Sequence, residues 1–154
     1  SKPGEPNTYG LAPSEANYIR AGKRPLSSMS PTIVLEDGNL RCVTGASGGP
    51  RIITATLQTI LGVIGYGRSV FHAVHAPRLH HQLLPNVVYS EHQDLGQDLN
   101  IEQSEYIETA LRKRSHEVKP TAFSGVCHMI AVDIETGNLT AVSDRRKGGK
   151  AAGY

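Results

Sequence analysis

Two short motifs flank a predicted β-hairpin near the N-terminus, and they constrain the fold more than any other feature of the sequence. Residues 25–31 read PLSSMSP, and residues 45–49 read GASGG. Between them lie apolar runs at residues 32–35 and 40–43, separated by Asp37-Gly38, a dipeptide typical of a hairpin turn. The hairpin therefore brings small polar donors and bare backbone amides toward one place.

Length and composition indicate one globular domain. A chain of 154 residues can bury a sizeable core, and its 38% hydrophobic and 19% charged residues are not typical of disorder. A net charge of +2 with 5% aromatic residues gives no electrostatic footprint for nucleic-acid binding. The longest apolar stretch, residues 60–64, is far shorter than the roughly 20 residues that span a bilayer. Because residues 1–6 carry no signal-peptide pattern, we expect any anchor or targeting signal to lie outside this sequence.

Hydrophobic periodicity predicts an α+β layered domain, with hairpins at both ends of the chain and helices between them. An extended, ordered loop over residues 1–25 leads into the first hairpin at residues 32–45. The other predicted elements are helices at 51–64, 69–76 and 101–114, a strand at 87–91, a polar surface loop at 92–100, and a second hairpin formed by residues 126–132 and 139–142. Ser69 caps the second helix and Pro77 stops it. The first helix is apolar on more than one face, so we expect other elements to cover it.

Cys42 and Cys127 lie in apolar, strand-like runs. Buried small hydrophobic residues are the favoured interpretation, by about four to one over a disulfide or a reactive thiol.

The glycine turn (residues 45–49) lies between a predicted strand and a helix that begins near Arg51. Such a turn exposes amides at a helix N-terminus, where the helix dipole favours negative charge, and an oxyanion hole needs donors of this kind. A tight turn in which glycine is needed only for steric reasons has equal weight. A phosphate-binding loop is less favoured because neither a Walker lysine nor a dinucleotide fingerprint is present.

The serine pair (Ser27 and Ser28) precedes the hairpin, and Pro25 and Pro31 enforce an irregular backbone there. Both hydroxyls are suited to donate to a carboxylate or an acyl oxygen. Ordinary turn serines that bond their own backbone are favoured by about two to one when the pair is taken in isolation.

Seven histidines raise the question of metal binding or general-base chemistry. No cysteine or acidic ligand stands at a zinc spacing from His80 and His81, so a metal site has a weight of about one in ten. Residues 78–82 are interpreted as a strand or loop whose polar side chains bond backbone groups. We expect neither a metal nor a cofactor.

Four blocks in order resemble the γ-glutamyltranspeptidases over essentially the full chain. They lie at residues 25–33, 45–49, 76–86 and 143–154, and residues 9–17 match the family's segment before the serine pair. The resemblance implies an N-terminal-nucleophile hydrolase, whose αββα four-layer sandwich arises when a precursor cleaves itself into large and small subunits. Residues 1–154 would then be a single-domain fragment from the C-terminal part of the small subunit, with an incomplete sandwich.

The resemblance also implies a reaction and roles for individual residues. An N-terminal threonine attacks the γ-glutamyl bond of glutathione and related amides, and the glutamyl group passes to water, an amino acid or a dipeptide. Ser27 and Ser28 match the serines that hold the donor's α-carboxylate, whereas Gly48 and Gly49 match the glycines whose amides stabilise the oxyanion. Arg78 and Asp144 match recurrent positions and are interpreted as a structural ion pair.

Other parts of the implied site are expected outside this sequence. The threonine, the hydroxyl that assists it and the acidic pair that binds the donor's amino group lie upstream in the family, and the large subunit contributes an arginine. Ser1 resembles the loop after the acidic pair, so it is not interpreted as the nucleophile. Pro50 replaces a frequent serine or threonine but leaves both glycine amides available. The family also implies a location at the extracellular face of the plasma membrane, or secretion.

Two alternatives are a non-enzymatic, light-chain-like interaction protein and another amidase of the same superfamily. The retained serines and glycines favour the transpeptidase. Because the threonine segment is missing, we expect the chain alone to be inactive. Because a sandwich cut in this way leaves sheet edges and apolar faces uncovered, we expect it to fold stably only with the rest of the enzyme or as part of a longer chain.

Overall fold

A computed structural model describes residues 2–92 and 102–153 of the chain. It contains two sheets and three α-helices within those residues. The strands are β1 (Thr32–Glu36), β2 (Asn39–Ser47), β3 (Leu79–His80), β4 (Val88–Glu91), β5 (Val118–Thr121), β6 (Val126–Val132) and β7 (Leu139–Val142), and the helices are α1 (Arg51–Ile60), α2 (Val70–His75) and α3 (Glu102–Arg112). The predicted α+β class is confirmed. None of these helices is long and apolar enough to cross a membrane.

The larger sheet is antiparallel, with strand order β1-β2-β6-β7. Its first hairpin turns at Asp37 (φ 51°) and Gly38 (φ 82°). Positive φ at both central residues matches the right-handed twist of the flanking strands, which is why Asp-Gly favours such turns. The pairing of Ser47 with Val126 joins this hairpin to the second predicted hairpin, so both hairpins belong to one sheet.

Helix α1 packs against β2 and β6, and a π-helical turn (Leu61–Gly65) continues it. The predicted helix over residues 51–64 is therefore present, but its last turn is wider. A Cβ atom added at Gly62 would lie 2.9 Å from Cβ of Ala73, so glycine permits the close approach of α2. Ile53 and Leu57 are each 52% exposed. In the described part of the chain, α1 is thus not covered on all faces, contrary to expectation.

Helix α2 begins as the sequence predicts, because the Ser69 hydroxyl accepts a hydrogen bond from the His72 amide at 3.3 Å. It lies over the larger sheet and closes a small core with it, formed by Cys42, Val70, Val74, Met129 and Ala131. Cys42 and Cys127 are fully buried and have free thiols. Both are buried small hydrophobic residues, as predicted.

The smaller sheet has the order β3-β4-β5, in which β4 and β5 are parallel. Helix α3 lies in the connection between these two strands, as parallel pairing requires a long crossover. The predicted strand at 87–91 and helix at 101–114 correspond to β4 and α3 with shorter bounds. Most of the predicted loop at 92–100 lies outside the described residues. Strand β5 contains Pro120, which obscured it in the sequence.

Candidate functional site

Residues 45–47 belong to strand β2, so the turn is shorter than the sequence predicted. From here on, the glycine turn is residues 48–50, which connect β2 directly to α1. Gly48 (φ 136°) and Gly49 (φ 61°) both adopt backbone conformations that favour glycine. The carbonyl of Gly48 accepts from the Arg51 amide at 3.3 Å, and that of Gly49 accepts from the Ile52 amide at 3.1 Å. In the described part of the chain, the backbone hydrogen bonds of these two glycines use their carbonyls. Their amides therefore stay available at the start of a helix, where negative charge is favoured.

The two glycines are also required sterically. A Cβ atom at Gly48 would lie 2.9 Å from Cα of Gly125, and one at Gly49 would lie 2.5 Å from Cζ of Tyr9. The steric need for glycine is therefore confirmed at both positions. It is compatible with anion binding, because these contacts are made at the Cβ position and no hydrogen bond within the described residues uses the two amides.

The serine pair makes local backbone contacts of the kind that turn serines make. Ser27 Oγ accepts from the Met29 amide at 3.1 Å, and the Ser28 carbonyl accepts from Ser30 Oγ at 3.1 Å. Ser27 is exposed and Ser28 is half-buried. A hydroxyl that accepts one hydrogen bond still carries its own hydrogen, so Ser27 remains able to donate to a ligand.

The hairpin places the serine pair and the glycine turn at the same end of the larger sheet. Thr32, the first residue of β1, pairs with Thr44, and β2 continues past that pair to Ser47. Because the two strands are antiparallel, the chain before β1 and the chain after β2 leave the sheet at the same end. Within the described residues no hydrogen bond joins the serine pair to the glycine turn.

A buried ion-pair cluster (Arg78, Glu91, Asp144 and Arg146) lies at this end of the sheet too. Arg78 Nη2 is 2.9 Å from Asp144 Oδ2, Asp144 Oδ1 is 3.1 Å from Arg146 Nη1, and Arg146 Nη2 is 2.5 Å from Glu91 Oε2. All four side chains are at most 2% exposed. The pairing of Arg78 with Asp144 agrees with the sequence interpretation. The sequence did not lead us to predict that Glu91 and Arg146 take part in this ion pairing, although Arg146 lies with Asp144 in the block at residues 143–154.

Opposite charges keep Asp144 and Arg146 ionised within the buried ion-pair cluster. Burial raises the pKa of Asp144, but Arg78, the Cys127 and Arg146 amides and the Arg146 charge outweigh it, so the pKa lies below its ordinary value. Burial lowers the pKa of Arg146, yet its hydrogen bonds and charge interactions with Glu91 and Asp144 raise the net value. With two cations and two anions, the cluster is neutral as a whole.

The buried histidines have structural partners. His80 Nδ1 lies 2.8 Å from Thr54 Oγ1, and His80 Nε2 lies 2.9 Å from Gln82 Oε1. Gln82 Nε2 in turn donates to the Tyr9 carbonyl at 3.1 Å, which fixes the N-terminal loop against residues 78–82. Among residues 2–92 and 102–153, no group of three or more His, Cys, Asp or Glu residues is placed to hold a metal ion.

Comparison with known proteins decides the family. The family model for γ-glutamyltranspeptidase matches residues 1–154. The chain belongs to the γ-glutamyltranspeptidase family. Glutathione hydrolase proenzyme 1 of Schizosaccharomyces pombe is 40% identical over 100% of this chain and 23% of its own length. Glutathione hydrolase 2 of Arabidopsis thaliana is 42% identical over 92% of this chain and 25% of its own length.

Solved structures of the γ-glutamyltranspeptidase family agree with this assignment. A γ-glutamyltranspeptidase mutant from Helicobacter pylori is 40% identical and superposes with a TM-score of 0.80, over 96% of this chain and 76% of that one. An acivicin-inhibited γ-glutamyltranspeptidase superposes with a TM-score of 0.81 at 39% identity, over 97% of this chain and 76% of that one. The chain thus spans about a quarter of the first two relatives and three quarters of the solved chains.

Proposed function

We propose that this chain is the C-terminal part of the small subunit of a glutathione hydrolase, a γ-glutamyltransferase. Family membership and the names of the two relatives support this assignment. The chain would contribute the donor-carboxylate site and the oxyanion hole to an active site that the rest of the protein completes. Its partners would be the large subunit and the N-terminal part of the small subunit.

An exposed apolar row supports the proposal that further sheet packs on this chain to complete an αββα sandwich. Ile33 pairs with Val43, Val43 with Ile130, and Ile130 with Ala141, so the four side chains share one face of the larger sheet. All four are exposed. Apolar faces of this kind are typically buried against another layer.

In the proposed reaction, this chain positions the donor and stabilises the developing charge, and the N-terminal part of the small subunit supplies the nucleophile. A threonine on the N-terminal part attacks the γ-carbonyl carbon of glutathione or another γ-glutamyl amide. The hydroxyls of Ser27 and Ser28 donate to the α-carboxylate of the donor and so fix the position of that carbon. The amides of Gly48 and Gly49 donate to the oxygen that becomes negative in the tetrahedral intermediate. The intermediate then breaks the amide C–N bond, and the amine leaves with the proton of the threonine hydroxyl, so that a glutamyl ester of the threonine remains. Water, an amino acid or a dipeptide attacks this ester and takes the glutamyl group, while its proton returns to the threonine oxygen.

The observation that carries this proposal is the position of two amides at the start of α1, at the same end of the sheet as two serine hydroxyls. One pair of donors suits the carboxylate of the donor, and the other suits the developing oxyanion. Family resemblance further leads us to propose that the whole protein acts at the extracellular face of the plasma membrane or is secreted.

The test is release of p-nitroaniline from γ-glutamyl-p-nitroanilide by the full-length protein. We expect turnover that is lost in the Ser27→Ala/Ser28→Ala variant and absent from residues 1–154 alone, which lack the nucleophile. Ser14→Ala is the matched control, because Ser14 is exposed in the N-terminal loop and its hydroxyl makes no capping hydrogen bond to the short 3₁₀ helix that follows at Glu15–Asn17. No turnover by a full-length protein that carries the threonine would contradict the proposal and favour an interaction protein.

A further inference from the structure

The buried ion-pair cluster holds one short segment of backbone at three points. Glu91 Oε1 accepts from the Ser124 amide at 3.2 Å, Arg78 Nη1 donates to the Gly125 carbonyl at 2.8 Å, and Asp144 Oδ2 accepts from the Cys127 amide at 2.8 Å. Charged groups make stronger hydrogen bonds than neutral ones, particularly where water is excluded. The segment 124–127 is therefore fixed by charges and not only by its strand partners.

Gly125, at the centre of this segment, is wedged against the glycine turn. Its φ is +89°, and a Cβ atom added to it would lie 3.3 Å from the Ser47 carbonyl oxygen and 3.5 Å from that of Arg51. Ser47 and Arg51 are the residues on either side of the turn. The Cα of Gly125 also lies 2.9 Å from the position that a Cβ atom of Gly48 would take. The two glycines therefore pack with no room for a side chain between them, so a shift of Gly125 toward the turn would press on Gly48.

Arg78 is suited to fix Gly125 because it uses two separate nitrogens. Nη1 donates to the Gly125 carbonyl, while Nη2 donates to the Val74 carbonyl at 2.5 Å and to Asp144. The planar guanidinium presents these donors in a rigid fork, whereas a lysine ammonium is a compact point charge and cannot span the same acceptors. Position 78 therefore requires the shape of arginine as well as its charge.

We propose that Arg78 is a positioning residue for the glycine turn, acting through Gly125 to hold the Gly48 and Gly49 amides where an oxyanion forms. The identity of the anion in this inference rests on the proposed function. The contacts that connect Arg78 to the turn through Gly125 are independent of that function. Arg78 itself does not touch substrate. Its role is to place the two donors, and a donor group displaced by about 1 Å loses much of its catalytic benefit.

The experiment compares Arg78→Lys, Gly125→Ala and the control Arg112→Lys in the full-length, processed protein. Arg112 pairs with Glu108 at 2.9 Å on α3 and is half exposed, so Arg112→Lys makes the same replacement in an ion pair outside the cluster. Gly125→Ala keeps every charge of the cluster. Its Cβ atom is strained at a φ of +89° and meets Ala55 Cβ at 3.2 Å as well as the Ser47 and Arg51 carbonyls beside the turn. Gly125→Ala therefore still tests the positioning role if a thermal melt shows that Arg78→Lys is not folded.

Three readouts separate positioning from general damage. With rates normalised to cleaved subunits, we expect Arg78→Lys and Gly125→Ala to lower kcat by about 10- to 100-fold, with KM within about 3-fold of the unaltered value. The affinity for a boronic acid analogue of the γ-glutamyl group, which forms a tetrahedral anion on the nucleophile, falls with kcat. Amide hydrogen exchange in the peptide that contains Gly48 and Gly49 becomes faster in both variants and not in the control.

Unchanged kcat and unchanged exchange at Gly48 and Gly49 in a folded Arg78→Lys protein would overturn the positioning role. So would a rise in KM alone, because it would place the effect in substrate binding. Absence of turnover in the unaltered protein would overturn the proposed function instead. Hydrogen exchange would then still decide whether Arg78 positions the glycine turn.

Discussion

The phenol ring of Tyr9 lies against Gly49 so closely that a Cβ atom added to the glycine would be 2.5 Å from Cζ of the ring. Two segments far apart in the sequence thus meet at one of the two candidate oxyanion donors. Tyr9 is held through its backbone, where its carbonyl accepts from Gln82 and its amide donates to Asn7 Oδ1 at 2.9 Å. Tyr9 is 51% exposed as a residue, so its ring has room to move while the backbone stays in place.

Gly49→Ala should therefore lower kcat in the full-length protein. The added Cβ atom is strained at a φ of 61° and displaces the Tyr9 ring, so the amide shifts from the position in which it is proposed to stabilise the oxyanion. We expect a loss of about 100-fold, the size of the effect of removing one oxyanion donor. The assay is release of p-nitroaniline from γ-glutamyl-p-nitroanilide.

Gly45→Ala is the matched control, because a Cβ atom at Gly45 would have nothing within 4 Å. It should keep kcat within about 3-fold of the unaltered protein. Combining Gly49→Ala with Tyr9→Ala removes the collision but not the backbone strain, so part of the lost activity should return. A Gly49→Ala protein as active as the Gly45→Ala protein would contradict the role of this turn.

Single replacement of either serine by alanine should raise KM for the donor more than it lowers kcat. Each hydroxyl is proposed to donate to a carboxylate, and a hydrogen bond to a charged group contributes roughly 1.5–3 kcal/mol, which corresponds to about 10- to 100-fold in KM. Ser27→Ala also removes the acceptor of the Met29 amide, so it should have the larger effect. Steady-state kinetics of both serine variants, with Ser14→Ala as control, would measure the change in KM for the donor. Equal KM values in all three variants would contradict the proposed contact between the serines and the donor's carboxylate.

The stability of the folded protein should fall as the pH drops below 6.5, partly because of His75. Burial lowers the pKa of His75 below its ordinary value of 6.5. Its Nδ1 lies 2.9 Å from the Phe71 carbonyl oxygen and its Nε2 accepts from the Arg145 amide at 3.3 Å, so the ring is required in its neutral form. Below pH 6.5 the unfolded chain binds a proton that the folded chain does not, and unfolding becomes more favourable until the pH reaches the folded pKa.

Chemical denaturation of the full-length protein between pH 7.5 and pH 5 would measure this loss. The slope contributed by one such histidine is at most about 1.4 kcal/mol per pH unit. His75→Gln should be less stable at pH 7.5, but its free energy of unfolding should depend less on pH. Some pH dependence should remain, because burial also lowers the pKa of His80. An identical slope in the variant would show that His75 does not titrate in this way.

Residues 1–154 by themselves should associate or unfold gradually instead of melting in one sharp transition. The row formed by Ile33, Val43, Ile130 and Ala141 is exposed on the larger sheet, and so are Ile53 and Leu57 on α1. Exposed apolar patches of this kind mark surfaces that pack against another chain or segment. A monomer in analytical ultracentrifugation with a cooperative thermal transition would contradict this expectation.

Local signals in the sequence were sufficient for the hairpin turns and the helix starts. Asp37-Gly38 requires positive φ at both positions, and Ser69 caps α2 with its own hydroxyl, so each feature depends on neighbours within a few residues. The same holds for the serine pair, whose backbone contacts span two positions. Such features can be predicted from the sequence because the interactions that stabilise them involve residues only a few positions apart.

Contacts between distant segments could not be predicted in the same way. Glu91 and Arg146 are separated by 55 positions, and nothing in the pattern around either residue indicates the other. The wedge of Gly125 against Gly48 likewise depends on the pairing of β2 with β6. The π-helical turn after Ile60 lies where α2 approaches closely at Gly62, and hydrophobic periodicity reveals neither feature.

A crystal structure of the full-length protein, with a boronic acid analogue of the γ-glutamyl group bound to the proposed threonine, would test whether this chain supplies the oxyanion hole and the carboxylate site of a γ-glutamyltransferase. We expect a boronate oxygen about 2.7–3.1 Å from the amides of Gly48 and Gly49, and the α-carboxylate on the hydroxyls of Ser27 and Ser28. An adduct whose tetrahedral oxygen and carboxylate contact neither pair would contradict this proposal.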